Sequence, residues 1–157
     1  VDVDRAFGEA FGRTWGGMTW AYKLEDADIV LTAAGSLGLE ATVAADELRA
    51  RGHKAGVLGV RVYRPFPKKA LVEQTRQARL VAVFDKSLSY GNEGPICADF
   101  KAALYGSGSN PAVHGYVAGL GGRDVKAREL VDAVEDSIQC VENGGRARPT
   151  RWVNCQI

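Results

Sequence analysis

The sequence is poor in the residues that mark metal sites, nucleic-acid surfaces and membrane spans. It has three cysteines and two histidines in 157 residues, and no Cys-x-x-Cys pair. That spacing excludes the common zinc and iron–sulfur motifs, so we expect no metal ligand here and idle thiols in a reducing cytoplasm. A net charge of +1 leaves no excess of basic residues of the kind that binds nucleic acid. No apolar run approaches the roughly 18 residues of a membrane helix.

The beginning of the chain also lacks two ordinary signals. The only methionine is Met18, so we expect Val1 to be a processed or fragment end. The first residues carry neither a basic start nor an apolar block, and no signal peptide is predicted. We therefore expect a cytoplasmic protein.

Short β-rich segments alternate with helical patterns along most of the chain. Each predicted strand ends at a glycine, a proline or a charged residue, and an amphipathic stretch follows it. The predicted strands are Ala27–Gly35, Gly56–Val62, Ala78–Asp85 and Ala112–Gly119. This alternation predicts right-handed crossovers, hence a three-layer α/β/α fold with a mostly parallel sheet.

Four helices are predicted between and after these strands. Ser36 is expected to cap the first, which Gly52 ends, and the second covers Lys68–Ala78. Pro95 opens the third, and a long amphipathic helix runs to about Val141.

We divide the chain into three parts on this pattern. Residues 1–26 form a lead segment that we expect to act as an interface arm, and residues 27–142 form the α/β domain. Residues 143–157 form a connector followed by a short terminal strand or arm.

The loops that follow parallel strands gather at one edge of a sheet, where ligands and partners bind. We call this edge the rim. Its four predicted loops are GSLG (Gly35–Gly38), RPFP (Arg64–Pro67), DKSLSYGNEG (Asp85–Gly94) and GLGGRD (Gly119–Asp124).

The GSLG loop opens a helix, so the amides of Gly35, Ser36 and Gly38 are candidates for binding an anionic cofactor. A complete dinucleotide fingerprint is absent, because Glu40 stands where a third glycine belongs. A plain strand-to-helix turn explains the same residues.

The DKSLSYGNEG loop contains Asp85, Lys86, Asn92 and Glu93. These side chains suit acid–base chemistry, but no histidine lies near them in sequence, and no Gly-x-Ser-x-Gly motif occurs. A simple ion pair between Asp85 and Lys86 at the rim is one interpretation, and we favour a structural or interface role for the loop.

The GLGGRD loop has two interpretations that the residues leave open. Arg123 and the neighbouring amides would suit an anion. The glycines, including Gly121 and Gly122, would equally suit backbone conformations that other residues avoid.

Four segments together carry a resemblance to a known family: ADIVLTAAGS, VRVYRPFP, FDKSLSYGNEGP and GLGGRDV. Their order and spacing resemble the second domain of the α chain of 2-oxoacid:ferredoxin oxidoreductases, with pyruvate:ferredoxin oxidoreductase (pyruvate synthase) as the nearest member. The likeness spans nearly the whole chain. It implies the fold of the transketolase C-terminal domain.

The chain departs from that family at two positions. Lys86 stands where the family usually has arginine, so a two-pronged contact is lost. Lys126 replaces a threonine helix cap, and Asp124 is then expected to cap the helix.

The resemblance implies an activity for a complex. A 2-oxoacid, coenzyme A and oxidised ferredoxin give an acyl-CoA, CO2 and reduced ferredoxin, with thiamin diphosphate, Mg²⁺ and iron–sulfur clusters as cofactors. The motifs that hold these cofactors are absent from this sequence, so no catalytic residue and no cofactor is expected within it. The implied partners are the thiamin-binding and iron–sulfur subunits, and ferredoxin for the complex.

The chain is therefore expected to serve assembly. The predicted contact residues belong to the lead and the rim: Trp15, Trp20, Arg64, Asp85, Lys86, Asn92, Glu93, Gly121, Gly122, Arg123 and Asp124. The alternative hypothesis is a free-standing module that binds an anion such as coenzyme A through GSLG and GLGGRD.

Overall fold

The computed structural model describes residues 2–155. Val1 and the last two residues of the predicted terminal strand or arm, 156 and 157, lie outside this range. The helices are α1 (Asp2–Phe11), α2 (Ser36–Ala50), α3 (Lys68–Gln74), α4 (Pro95–Leu104) and α5 (Ala127–Glu142). The strands are β1 (Thr19–Tyr22), β2 (Ile29–Ala34), β3 (Ala55–Val60), β4 (Leu80–Asp85), β5 (Ala112–Ala118) and β6 (Arg151–Val153).

The strands form one six-stranded sheet in the order β1-β3-β2-β4-β5-β6. Strands β2 to β6 run parallel, and only β1 is antiparallel to its neighbour, β3. The mostly parallel α/β architecture predicted from the sequence is confirmed. The four predicted strands correspond to β2, β3, β4 and β5.

Helices cover both faces of the sheet, which explains why its central strands are almost uniformly apolar. Ile29, Leu31 and Ala33 of β2 point to a core shared with α2 and α5. Val30, between them, points to a second core shared with α3 and α4. The alternation of side chains along one strand thus supplies both layers.

Three helix ends differ from the prediction. Gly35, not Ser36, precedes α2, and its φ of 61° belongs to the region that favours glycine. Helix α3 ends at Gln74, before the predicted Ala78, and the buried Thr75 that follows it donates its hydroxyl to the Leu71 carbonyl at 2.8 Å.

The predicted cap of α5 is also wrong. Lys126 precedes this helix, and the Glu129 carboxylate accepts its backbone N–H at 2.8 Å. Asp124 lies outside the helix and pairs instead with the Lys126 ammonium.

The lead segment contains two elements that the sequence pattern did not predict. Helix α1 has no buried residue, and β1 adds an edge to the sheet beside β3. The domain boundaries themselves stay predictions.

Candidate docking rim

Three of the four rim loops meet at the carboxyl edge of the sheet. The Lys86 ammonium, after β4, donates to Ser36 Oγ, after β2, at 3.3 Å. Gly119, after β5, lies so close that a Cβ there would be 3.2 Å from Lys86 Cε. The long side chain of Lys86 therefore bridges the GSLG and GLGGRD loops.

One backbone N–H group of the GSLG turn is hydrogen-bonded within the turn itself. The Gly38 N–H donates to the Gly35 carbonyl at 3.1 Å. Gly38 also packs against Trp20, whose Cζ2 would be 3.0 Å from an added Cβ. Gly38 is thus a packing position, while Gly35 and Ser36 stay at the rim.

Among the acidic residues of the rim, Asp85 has the most strongly shifted pKa. It is only 1% exposed, and its two carboxylate oxygens accept the backbone N–H groups of Ile96 (3.0 Å) and Cys97 (3.1 Å). These are donors that a helix leaves unsatisfied at its start. Burial raises the pKa of Asp85 to about 6, although the two hydrogen bonds oppose that shift.

The interpretation of Asp85 and Lys86 as an ion pair is wrong. The Asp85 carboxylate turns inward to the start of α4, whereas the Lys86 ammonium turns outward to Ser36. Asp85 is the last residue of β4 and Lys86 lies in the bend after it, and the two side chains have different partners.

Glu93 belongs to a second polar cluster, which joins the end of the β4 loop to α4. Its carboxylate pairs with the Lys101 ammonium at 2.6 Å and accepts from Cys97 Sγ at 3.2 Å. Burial raises the pKa of the Cys97 thiol. Lys101 was not among the residues predicted for the site, although the four-residue spacing of 93, 97 and 101 is a helical signal.

Asn92 stabilises the tip of the same loop. Its backbone N–H donates to the Ser89 carbonyl at 3.0 Å, and its side chain is exposed. Tyr90, beside it, is fully exposed.

Arg64 links the RPFP loop to α4. Its guanidinium pairs with Asp99 at 2.8 Å and lies 3.8 Å from the centre of the Tyr63 ring. The Tyr63 hydroxyl donates to the same carboxylate at 2.7 Å. Burial raises the pKa of Tyr63, and the hydrogen bond to Asp99 adds to the effect.

The GLGGRD loop begins with left-handed backbone. Gly119 and Gly121 have φ values of 70° and 69° on either side of Leu120. Its exposed residues include Gly121, Gly122 and Arg123. The hydrogen bond and charge of Lys126 lower the pKa of Asp124.

The two candidate tryptophans of the lead occupy different environments. Trp15 is 64% exposed. Trp20 is half-buried and packs against the core shared with α2 and α5. Its indole fills the space above Gly59 of β3, where an added Cβ would be 1.9 Å from Trp20 Cε2. Trp20 therefore has a packing role within this chain.

The side chains in the described part of the chain do not fit a metal or an iron–sulfur cluster. Within residues 2–155, no group of three or more His, Cys, Asp or Glu side chains is placed to hold a metal ion. His114 Nδ1 lies 2.7 Å from Ser137 Oγ, and burial lowers its pKa to about 4. This histidine is part of the core.

None of the helices within residues 2–155 has the length and apolar character needed to cross a bilayer.

This chain is similar to known proteins both in sequence and in fold. Residues 27–130 match the family model described as pyruvate:ferredoxin oxidoreductase core domain II. The ketoisovalerate oxidoreductase subunit VorA of Pyrococcus abyssi is 38% identical over 151 residues, which cover 96% of this chain and 38% of that protein. The pyruvate synthase subunit PorA of Methanosarcina barkeri is 38% identical over 141 residues, covering 89% and 35%.

Two solved structures share the fold. A 2-oxoglutarate:ferredoxin oxidoreductase from Magnetococcus marinus superposes with a TM-score of 0.61 at 18% identity, over 86% of this chain and 21% of that one. A split-gene transketolase, described as an inactive β4 tetramer, gives 0.61 at 22% identity, over 81% and 43%. The transketolase C-terminal-like fold expected from the sequence is confirmed.

This chain spans less than two fifths of the length of the curated relatives it matches. The family match over residues 27–130 and the identity to VorA and PorA subunits agree with the resemblance found in the sequence. The chain therefore belongs to the family of 2-oxoacid:ferredoxin oxidoreductase α subunits, in which it corresponds to core domain II.

Proposed function

We propose that this chain is a non-catalytic assembly domain of a thiamin-diphosphate-dependent 2-oxoacid:ferredoxin oxidoreductase. The complex converts a 2-oxoacid and coenzyme A to an acyl-CoA and CO2, and passes electrons to ferredoxin. Thiamin diphosphate, Mg²⁺, coenzyme A and the iron–sulfur clusters are assigned to other parts of the complex. A cytoplasmic location belongs to the same proposal.

The observation that carries this proposal is that the buried and half-buried acidic side chains of the rim are bound by other groups of this chain. The Asp85 carboxylate caps α4, and Glu93 is held by Lys101 and Cys97. Each is engaged with this chain's own groups, which supports a role in shaping the rim. The family relationship supports a surface that other subunits contact.

Co-purification tests the proposal directly. The tagged chain, co-expressed with the thiamin-binding and iron–sulfur subunits, should be recovered in a complex that oxidises a 2-oxoacid. The chain purified alone should oxidise none, because the cofactor-binding residues are assigned elsewhere. Turnover of a 2-oxoacid by the lone chain would overturn the proposal, and so would its absence from the active complex.

One observation favours the alternative function, a module that binds an anion. The Lys86 ammonium lies at the start of α2, where unpaired backbone N–H groups favour negative charge. Calorimetric titration with coenzyme A decides between the two. Saturable micromolar binding that Lys86→Met abolishes would favour the module, whereas absence of binding favours the assembly domain.

A further inference from the structure

An apolar groove lies beside the lead segment. Residues 2–18, which we call the arm, form one wall, and the chain after β3 forms the other. The groove has a volume of about 670 Å³. Its apolar lining comes from Val3, Phe7, Trp15, Met18, Val62 and Pro65.

Polar contacts within the arm hold α1 against the loop that follows it. The Asp4 carboxylate accepts the backbone N–H groups of Trp15 at 2.8 Å and Gly17 at 3.0 Å. The hydrogen bond from Trp15 is the main cause that lowers the pKa of Asp4. These contacts fix the helix but bury none of its apolar side chains.

The apolar face of α1 is left open. On this helix Val3 is 83% exposed and Phe11 68%, and Trp15, in the loop after the helix, is 64% exposed. A helix of ten residues is marginal in water unless its apolar face packs against another surface. Large apolar side chains gathered beside a groove mark an interaction site.

The charges beside the groove favour an acidic partner. The Arg61 guanidinium donates to the carbonyls of Gly17 at 3.2 Å and Thr19 at 3.1 Å. Arg13 lies over the rings of Phe7 and Trp15, at 5.6 and 5.8 Å. Within residues 2–155, neither arginine pairs with a carboxylate, and the one acid in the lining, Asp4, is occupied by backbone N–H groups.

We propose that the groove binds an amphipathic helix that presents apolar side chains and a carboxylate to Arg61 and Arg13. The inference rests on the proposed assembly function and names a second contact surface in addition to the rim. The helix that occupies the groove belongs to the oxidoreductase α subunit and lies outside the part of that subunit to which this chain corresponds. The curated relatives carry more than half of their length outside that region, so a subunit of this family has segments to supply it.

The test uses the complete oxidoreductase complex and two matched double variants. Val3→Asp with Val62→Asp places a charge on each wall of the groove. Leu39→Asp with Val43→Asp places the same charges on α2, where the side chains are also exposed (65% and 56%). Sedimentation velocity measures how tightly the domain is held, with the domain supplied as a separate polypeptide beside the remaining subunits.

The groove variant should weaken association at least about tenfold, and the α2 variant should change it less than about twofold. Arg13→Gln should weaken association at low salt and reduce its salt dependence. Equal effects of the two double variants, or an unaffected groove variant, would overturn the inference.

A photo-crosslinker in place of Val3 in the assembled enzyme tests the occupant without destabilising variants. It should link to an apolar segment of the α subunit that contains Asp or Glu. A link to the arm of a second copy, or to no protein segment, would refute the inference. If the wild-type domain never enters the complex, the proposed function fails as well; if it enters and only the groove results fail, the proposed function survives.

Discussion

Asp85 is a buried residue that makes the contact between β4 and α4 depend on pH. Its carboxylate holds the first turn of α4 against the end of β4 through two backbone N–H groups. Burial disfavours the charged form, and the two hydrogen bonds favour it. The raised pKa, about 6 against an ordinary 3.8, shows that burial prevails.

This pKa predicts how stability depends on pH. The folded chain holds the Asp85 proton more tightly than the unfolded chain, so this group's contribution is complete below pH 4 and is lost as pH rises towards 6. The loss is of the order of 3 kcal/mol, since one pKa unit corresponds to about 1.4 kcal/mol. Urea unfolding between pH 4 and pH 7 measures it.

Two substitutions serve as controls for this prediction. Asp85→Asn should remove this pH dependence, because the amide does not titrate in that range. It should also destabilise the fold by about 1–3 kcal/mol, since one N–H loses its acceptor. Asp132→Asn, at an exposed position on α5, should leave the pH profile intact. An unchanged profile in Asp85→Asn would contradict the assignment.

At the scale of elements, the contact of β1 with β3 depends on a tryptophan fitted to a glycine. Trp20 pairs with Gly59 across the two strands and covers the space that a Cβ would need. Gly59→Ala should therefore destabilise the fold by about 1–3 kcal/mol through overpacking. Chemical unfolding of the variant measures the effect.

A double-mutant cycle separates this contact from a general intolerance of side chains in β3. In a Trp20→Ala background, Gly59→Ala should cost much less, because the indole no longer fills the space. Gly56→Ala is the matched control. Its Cβ would meet the Lys23 carbonyl at 2.4 Å, so removal of Trp20 should bring no relief. Equal costs in both backgrounds would disprove the proposed packing.

The elements that the sequence predicted are those with a local signal. Strands β2 to β5 are apolar runs with clear ends, and α5 repeats its apolar residues at helical spacing. Strand β1 has only four residues, and its fit depends on Gly59, far away in sequence. That complementarity exists only after folding, so no local pattern reveals it.

The candidate site, too, could be predicted from the sequence only in part. The meeting of the loops after β2, β4 and β5 follows from parallel topology and was predictable. The direction of each side chain was not. Asp85 turns to the amides of α4, and Lys86 turns to Ser36 at the start of α2. Both depend on the assembled layers.

At the scale of the whole molecule, Arg123 tests the rim as a docking surface. Arg123→Ala should weaken association with the other subunits by roughly fivefold or more, which corresponds to about 1 kcal/mol, the usual threshold for an interface residue. Oxidation of the 2-oxoacid per assembled complex should change by less than about twofold. Analytical sedimentation and steady-state kinetics on the same preparations give both values.

Arg128→Ala provides the comparison, since Arg128 is an exposed arginine on the following helix. It should leave both quantities near those of the unsubstituted complex. A large fall in turnover with unchanged association would instead place Arg123 in the active site.

The two outer strands of the sheet set a limit on how larger assemblies can form. Strand β1 has four residues and β6 has three, so each free border offers only a few backbone groups to a foreign strand. Continuation of the sheet from one molecule into the next is therefore poorly supported, and this also guards against aggregation. Recognition then depends on side chains displayed by loops and helices, which can change between relatives while the hydrogen-bonded framework stays the same.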